Sequence, residues 1–229
     1  YIPDAEPYVF EDRIYIFGSH DRYNGFIFCL NNYVCWSAPV DDPGAWRYEG
    51  VIYKKIQDPK NRLGIRLLFA PDLVQGADGR FYLYYAFDFM GLMGVAVCDE
   101  PAGEYEFLGH VKHPDGYLWG RKPGDSFPFD PAVLNDNGKI FLYSGFSISI
   151  PAIMTGLIKL KNEGAYVLEL EEDMLTIKKP EKLLIPKDGE GVFYGHEFFE
   201  ASSIRKINDK YYFVYSTKHN HQLCYATSS

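Results

Sequence analysis

One unit occurs four times in this chain, and it constrains the fold more than any other feature. Asp4-Ala5-Glu6-Pro7-Tyr8-Val9-Phe10 leads to Asp12-Arg13-Ile14-Tyr15-Ile16-Phe17. Asp72-Leu73-Val74-Gln75 leads to Asp78-Gly79-Arg80-Phe81-Tyr82-Leu83-Tyr84-Tyr85, and Asp130-Pro131-Ala132-Val133-Leu134 leads to Asn137-Gly138-Lys139-Ile140-Phe141-Leu142-Tyr143. Glu200-Ala201-Ser202-Ser203-Ile204 leads to Asn208-Asp209-Lys210-Tyr211-Tyr212-Phe213-Val214-Tyr215. Each copy reads as a strand, a tight polar turn, one basic residue and an aromatic strand, which is a β-hairpin. The basic residues Arg13, Arg80, Lys139 and Lys210 fall 67, 59 and 71 positions apart. A second shared piece keeps the phase: Gly44-Ala45-Trp46-Arg47-Tyr48-Glu49-Gly50 recurs as Gly103-Glu104-Tyr105-Glu106-Phe107-Leu108-Gly109. A repeat of roughly sixty residues with four short strands is a propeller blade with generous loops.

The reading is therefore all-β, a propeller within one domain over 1–229. The last unit is short: Gln222-Leu223-Cys224-Tyr225-Ala226-Thr227-Ser228 matches a third strand such as Tyr33-Val34-Cys35-Trp36-Ser37, and the chain stops at Ser229. A propeller protects its edges by closing. The expectation is that nearly four blades of a longer ring are present, with the C-terminal part absent.

Composition bears on partners and compartment. Apolar residues make up 47% and aromatics 17%, with 19 Tyr and 17 Phe, enough to build a packed core. The net charge of −8, with no extended Lys/Arg run, argues against nucleic-acid and anionic-membrane partners. No stretch approaches the roughly 20 apolar residues of a membrane span. The opening residues have neither the basic flank nor the apolar run of a signal peptide. Cys29, Cys35, Cys98 and Cys224 lack metal-site spacing and read as buried free thiols, so the expected compartment is reducing and cytoplasmic. The oligomeric state is left open.

An acidic residue heads each repeat: Asp4, Asp72, Asp130 and Glu200. The first strand of a blade lines the axial channel, so these carboxyls converge at one mouth. There, repulsion and partial burial spread their pKa values into a base and an acid. The alternative is turn capping or a structural cation. Aromatic neighbours favour chemistry, since Phe69 precedes Asp72, Phe129 precedes Asp130 and Phe198-Phe199 precede Glu200. Flat apolar surface beside acceptors suits a sugar, whose faces stack while its hydroxyls are bound.

With these motifs the sequence resembles glycoside hydrolase family 43, five-bladed propeller enzymes acting on arabinose- and xylose-containing glycans. The resemblance rests on Asp4-Ala5-Glu6-Pro7-Tyr8-Val9 with Gly18-Ser19-His20-Asp21, on Phe69-Ala70-Pro71-Asp72, on Phe127-Pro128-Phe129-Asp130-Pro131, and on Phe198-Phe199-Glu200-Ala201-Ser202. It implies an inverting glycosidase of the α-L-arabinofuranosidase or β-xylosidase type. Asp4 would be the general base, Glu200 the general acid, and Asp130 the carboxylate that orients the acid and raises its pKa by repulsion. It also implies Phe69, Phe129 and Asp21 in the sugar subsite and a structural role for Asp72. No cofactor is required; a Ca²⁺ in the axial channel is allowed by the resemblance, and no metal ligand is assigned. Inversion calls for carboxyls roughly 6.5–9.5 Å apart, with room for a water between them.

Other features fit less closely. Ala201-Ser202 follows the acid where many relatives carry Gly-Pro. Glu197 competes with Glu200 but is out of phase with the other heads. His196, just before the acid, is expected to line the pocket, and His20 either lines it or bonds its own loop. His219 and His221 read as loop histidines rather than a metal pair. Two alternatives stand: a β-fructosidase, whose Asn-Asp-Pro-Asn-Gly motif is here Pro3-Asp4-Ala5-Glu6-Pro7, and a non-catalytic carbohydrate-binding propeller.

Overall fold

Short aromatic and β-branched runs separated by Asn, Asp and Gly fold as antiparallel ladders, and here they do so in four successive sheets. The structure, a computed structural model, describes residues 1–189, 191–219 and 221–229. The first sheet holds β1 (Glu6–Phe10), β2 (Arg13–Gly18), β3 (Tyr33–Pro39) and β4 (Arg47–Tyr53) in that order. The second holds β5 (Leu68–Gln75), β6 (Phe81–Phe87), β7 (Met93–Cys98) and β8 (Glu106–His110). The third holds β9 (Ala132–Asp136), β10 (Lys139–Gly145), β11 (Gly164–Leu170) and β12 (Ile177–Pro186). The fourth has three strands among the described residues: β13 (Phe198–Ile207), β14 (Lys210–Thr217) and β15 (Leu223–Ser228). All pairings within the sheets are antiparallel between chain neighbours, the blade pattern of a β-propeller.

The turns have the chemistry their hairpins need. Asn137 and Gly138 both have positive φ (53° and 85°), as do Asn208 and Asp209 (50° and 61°). This is the mirror-image turn whose twist matches paired strands.

Blades pack face to face. β6 shows how: all seven of its residues are buried. Tyr82 and Tyr84 join Val133, Ile140 and Leu142 between blades two and three. Phe81, Leu83, Tyr85 and Phe87 join Phe17, Tyr33 and Tyr53 between blades one and two. Alternation along a strand thus serves two cores at once. A third core, with Tyr143, Ile185, Phe198 and Phe213, joins blades three and four. The four cysteines are unpaired; Cys29 and Cys35 are buried, while Cys98 and Cys224 are only half-buried. Among the described residues no helix is long and apolar enough to cross a membrane.

The innermost strands β1, β5, β9 and β13 surround the axis. Their register corrects the repeat alignment at blade two and shifts it by one at blade four, where the left-handed residue six before the strand end at Ile207 is Ala201 (φ 63°), next to Glu200. Asp4 and Asp130 each stand six residues before the strand end at Phe10 or Asp136, with φ of 53° and 43°. In blade two the left-handed residue is Ala70 (φ 35°), not Asp72, and the β5–β6 register shifts between Phe69 and Asp72. Asp72 lies two residues deeper, fully buried (1% exposed). Its carboxylate accepts hydrogen bonds from Tyr8 Oη and, at 2.6 Å, from the Val133 N–H. Burial lifts it to about 7 against these favourable partners. The expectation that Asp72 is structural agrees with this position.

Candidate active site

Three blades deliver carboxyls to the same cleft, a cavity of about 290 Å³ lined by Asp4, Asp130 and Glu200. Each is held from a neighbouring element. Asp4 sits on the lead into β1, and Ser19, at the end of β2, donates to its Oδ2 at 3.0 Å. The Ser19 hydroxyl in turn accepts from the Ala70 N–H at 2.8 Å, tying the segment to blade two. Gly18 makes this approach feasible, because a Cβ there would stand 2.8 Å from the Pro3 carbonyl oxygen and 2.4 Å from Ile2 Cγ2. Asp130, buried at the head of β9, accepts at Oδ2 from the Ala201 N–H (2.9 Å). Ala201 has a φ of 63° and lies in the bulged stretch where β13 changes register after Glu200. A carboxylate of blade three therefore fixes the backbone just past the acidic head of blade four.

The walls are aromatic. Phe69 and Phe129 meet edge to face with centroids 5.8 Å apart, and Phe89 stacks on Phe129 at 5.9 Å with an interplanar angle of 7°. Phe146 closes on Phe129 at 4.5 Å. Backbone anchors hold the two predicted rings. Tyr33 Oη donates to the Phe69 carbonyl (3.0 Å), and Ser144 Oγ accepts from the Phe129 N–H (2.8 Å) and donates to its carbonyl (2.6 Å). Asp21 also lines the cleft, its Oδ1 accepting from the Cys29 N–H at 2.6 Å. This bond presents the half-exposed Phe28 and the buried Cys29 to the cavity. Burial pushes the Cys29 thiol up to about 12, so it serves as a neutral wall.

All three carboxyls are raised. Asp4 is exposed as a whole residue, yet its carboxyl faces the cleft and desolvation raises it; Ser19 opposes this and Asp21 adds to it. Asp130 is raised most, by burial first, with the Ala201 N–H opposing and the charges of Glu200 and Asp4 adding. Glu200 is raised by burial, lowered by nearby His221 and raised by Asp4. Between these two groups the charge of Glu200 acts on Asp130, while the shift of Glu200 comes from burial, His221 and Asp4.

Sequence reasoning placed Asp4, Asp130, Glu200, Asp21, Phe69 and Phe129 together, and the structure brings all six to one cavity. His196 is a correction. It is exposed and absent from the cleft lining, its Nδ1 3.6 Å from Cys224 Sγ, and it lines a separate depression with Leu223 and Tyr225. The short turn at Gly195 (φ 78°) carries it away from Glu200. The histidine near the acid is His221, whose ring meets Phe199 edge-on at 4.6 Å. Glu197 is drawn elsewhere: the Gly195 N–H donates to it, His219 Nε2 lies 3.0 Å from its Oε2, and its carboxyl is lowered. His219 and His221 accordingly go to different partners, and among the described residues no cluster of three metal-ligating side chains forms. His20 hydrogen-bonds the Asn32 carbonyl in its own loop.

The acids on the axis already have partners. Glu6 and Asp72 are engaged by Arg205, Ser203, Tyr8 and the Val133 N–H, and the guanidinium already supplies a positive charge there.

Residues 3–229 match the family model of Glycosyl hydrolases family 43. A xylosidase/arabinosidase from Thermoclostridium stercorarium is 53% identical over 232 residues, spanning the whole chain and 47% of that protein. A xylosidase/arabinosidase from Bacteroides ovatus is 30% identical, covering 99% of the chain and 74% of its own length. The chain thus spans about half of the first relative and three quarters of the second. Among solved structures, a β-xylosidase/α-arabinofuranosidase from a compost metagenome, determined with xylotriose in a calcium-free form, is similar at 27% identity and a TM-score of 0.74. That likeness covers 100% of this chain and 74% of the other. An α-L-arabinofuranosidase from Clostridium thermocellum is 25% identical with a TM-score of 0.66, over 98% and 68% of the two chains. The match runs through every blade and every carboxyl-bearing head, and the β-fructosidase alternative falls away: the chain belongs to glycosyl hydrolases family 43.

Proposed function

We propose that the protein hydrolyses glycosidic bonds of arabinose- or xylose-containing oligosaccharides with inversion at the anomeric carbon. The observation that carries this reading is the convergence of Asp4, Asp130 and Glu200 on a cleft walled by Phe69, Phe89 and Phe129. A pentose lays its apolar face on these rings, while the oxygen of Asp21 not bonded to Cys29 accepts a hydroxyl.

Asp4 takes a proton from water as the water oxygen attacks the anomeric carbon. On the opposite face the bond to the glycosidic oxygen breaks, and that oxygen receives the proton of Glu200. Both raised carboxyls suit their tasks: a raised Asp4 is a stronger base, and a raised Glu200 keeps its proton closer to neutrality. Asp130 acts through the Ala201 N–H, which holds the backbone next to the acid. The names of the related xylosidase/arabinosidases support the substrate class.

The test is turnover of nitrophenyl α-L-arabinofuranoside and β-D-xyloside beside Asp4→Ala and Glu200→Ala, with the first-formed anomer read by NMR. The expected result is an inverted product and loss of activity in Asp4→Ala. Turnover that survives both substitutions, or a retained anomer, overturns the assignment. A folded protein inert on every pentoside would favour the carbohydrate-binding alternative.

A further inference from the structure

The carboxyl assigned to the base leads into β1 and the one assigned to the acid stands on β13, and these strands share no ladder hydrogen bonds. They are joined by side chains on the axis. Two residues past Asp4, Glu6 Oε2 accepts from Arg205 Nη2 at 2.6 Å and from Ser203 Oγ at 3.1 Å. The same Nη2 donates to the Pro7 carbonyl at 3.0 Å, and the guanidinium lies over the Tyr8 ring, 4.4 Å from its centroid. Tyr8 Oη then donates to Asp72, whose second oxygen accepts from Val133 of blade three.

The side chains of Arg205 and Glu6 keep only 31% and 18% of their exposure, so this pair is partly withdrawn from water. Its geometry matters because the ladder fails nearby: between Glu200 and Ser203 the pairing of β13 with β14 shifts register. The acid's segment is therefore held at two points. Asp130 binds the Ala201 N–H above, and Glu6 binds Ser203 and Arg205 below. The lower point is also the strand that the base leads into.

We infer that Glu6 and Arg205, with Ser203, form a positioning clamp that sets the separation of the Asp4 and Glu200 carboxyls and hence the room for the attacking water. The inference rests on the roles proposed above for these two groups. Inversion works over a window of roughly 6.5–9.5 Å. Displacing a reacting group by about 1 Å costs on the order of 10²-fold in rate. The planar fork of arginine reaches Glu6, Pro7 and Tyr8 at once, which a lysine ammonium does only in part.

The experiment measures kcat and KM separately on a nitrophenyl pentoside for the intact protein and for Arg205→Met, Arg205→Lys and Glu6→Gln. Thermal melts check that each variant is folded. Arg205→Met is expected to lose kcat by about 10- to 100-fold with KM within about threefold, since the aromatic walls and Asp21 are untouched. Arg205→Lys recovers part of that loss, Glu6→Gln reproduces part of it, and the double variant is no worse than Arg205→Met alone. Wild-type kcat in folded Arg205→Met overturns the clamp, as does a loss that appears in KM alone. Should the wild type turn over no pentoside, the functional reading fails, and the clamp is then judged from crystal structures. An Asp4–Glu200 separation unchanged between wild type and Arg205→Met overturns it.

Discussion

Ser19 offers the sharpest test of how the base is tuned. It is fully buried, donates to Asp4 and accepts from the Ala70 N–H, so Ser19→Ala removes two bonds with one oxygen. The effect on chemistry follows from the first bond. A hydrogen bond to a carboxylate favours its ionised form by about 1.5–3 kcal/mol. The lower figure applies here because Asp4 is open to solvent on one side. At about 1.4 kcal/mol per pH unit, losing it lifts the Asp4 pKa by roughly one unit. The free-enzyme base must be ionised, so the acidic limb of kcat/KM moves to higher pH by about that amount. The second bond bears on stability. An unpartnered amide costs about 1–3 kcal/mol, and the space left by one hydroxyl is too small for a water. We expect a loss of about 2 kcal/mol in guanidinium unfolding. An acidic limb that stays in place or moves to lower pH refutes the proposed tuning. An unchanged unfolding midpoint refutes the bridge to blade two.

Three further outcomes follow from the same geometry. Glu200→Ala should cost about 10²- to 10⁴-fold on a xylo-oligosaccharide but far less on a nitrophenyl pentoside, whose leaving group departs without a proton; equal losses on both would contradict Glu200 as proton donor. Asp130→Asn should stabilise the fold at neutral pH. Burial holds the folded-state pKa of Asp130 above its unfolded value, so the wild type loses stability as pH rises from the ordinary carboxylate range toward that raised pKa. The advantage of the Asp130→Asn variant, read by denaturant titration, should therefore shrink toward pH ~4, where the unfolded carboxyl is itself half-protonated. Gly18→Ala should destabilise by about 1–3 kcal/mol and lower turnover as well, since its Cβ would push on the Ile2–Pro3 segment that carries Asp4; a neutral thermal melt would show that the segment yields freely.

What could be read from the residues alone was local. Period-two aromatic runs and Asn-Gly or Asn-Asp turns specify hairpins from a few neighbouring residues, which is why the blades and the heads Asp4, Asp130 and Glu200 were legible. Asp72 was misaligned because the register shift at Phe69–Asp72 inserts residues without changing composition. His196 and Glu197 are adjacent to the acid in sequence, but the Gly195 turn and the His219 contact separate them from it in space. Phe28, Phe89 and Phe146 reach the cleft from loops and strand ends whose course depends on packing between blades, and no repeat marks them. His221 could have been found only by knowing that its loop folds back against Phe199. Arg205 carries no local signal, because its partner Glu6 stands about 200 positions away.

The anchoring of the carboxyls bears on how such a molecule can be altered by recombination. Asp4 is steadied through Ser19 by blade two, Asp130 through Ala201 by blade four, and Glu6 through Arg205 joins blade four to blade one. Each reactive group thus belongs to one module and takes its position from another. Transplanting a single blade from a homologue would preserve the hairpins and much of the core while importing mismatched seams. Such a chimera would fold before it worked, and recovering its activity would require changes on both sides of a seam rather than in the transplanted module.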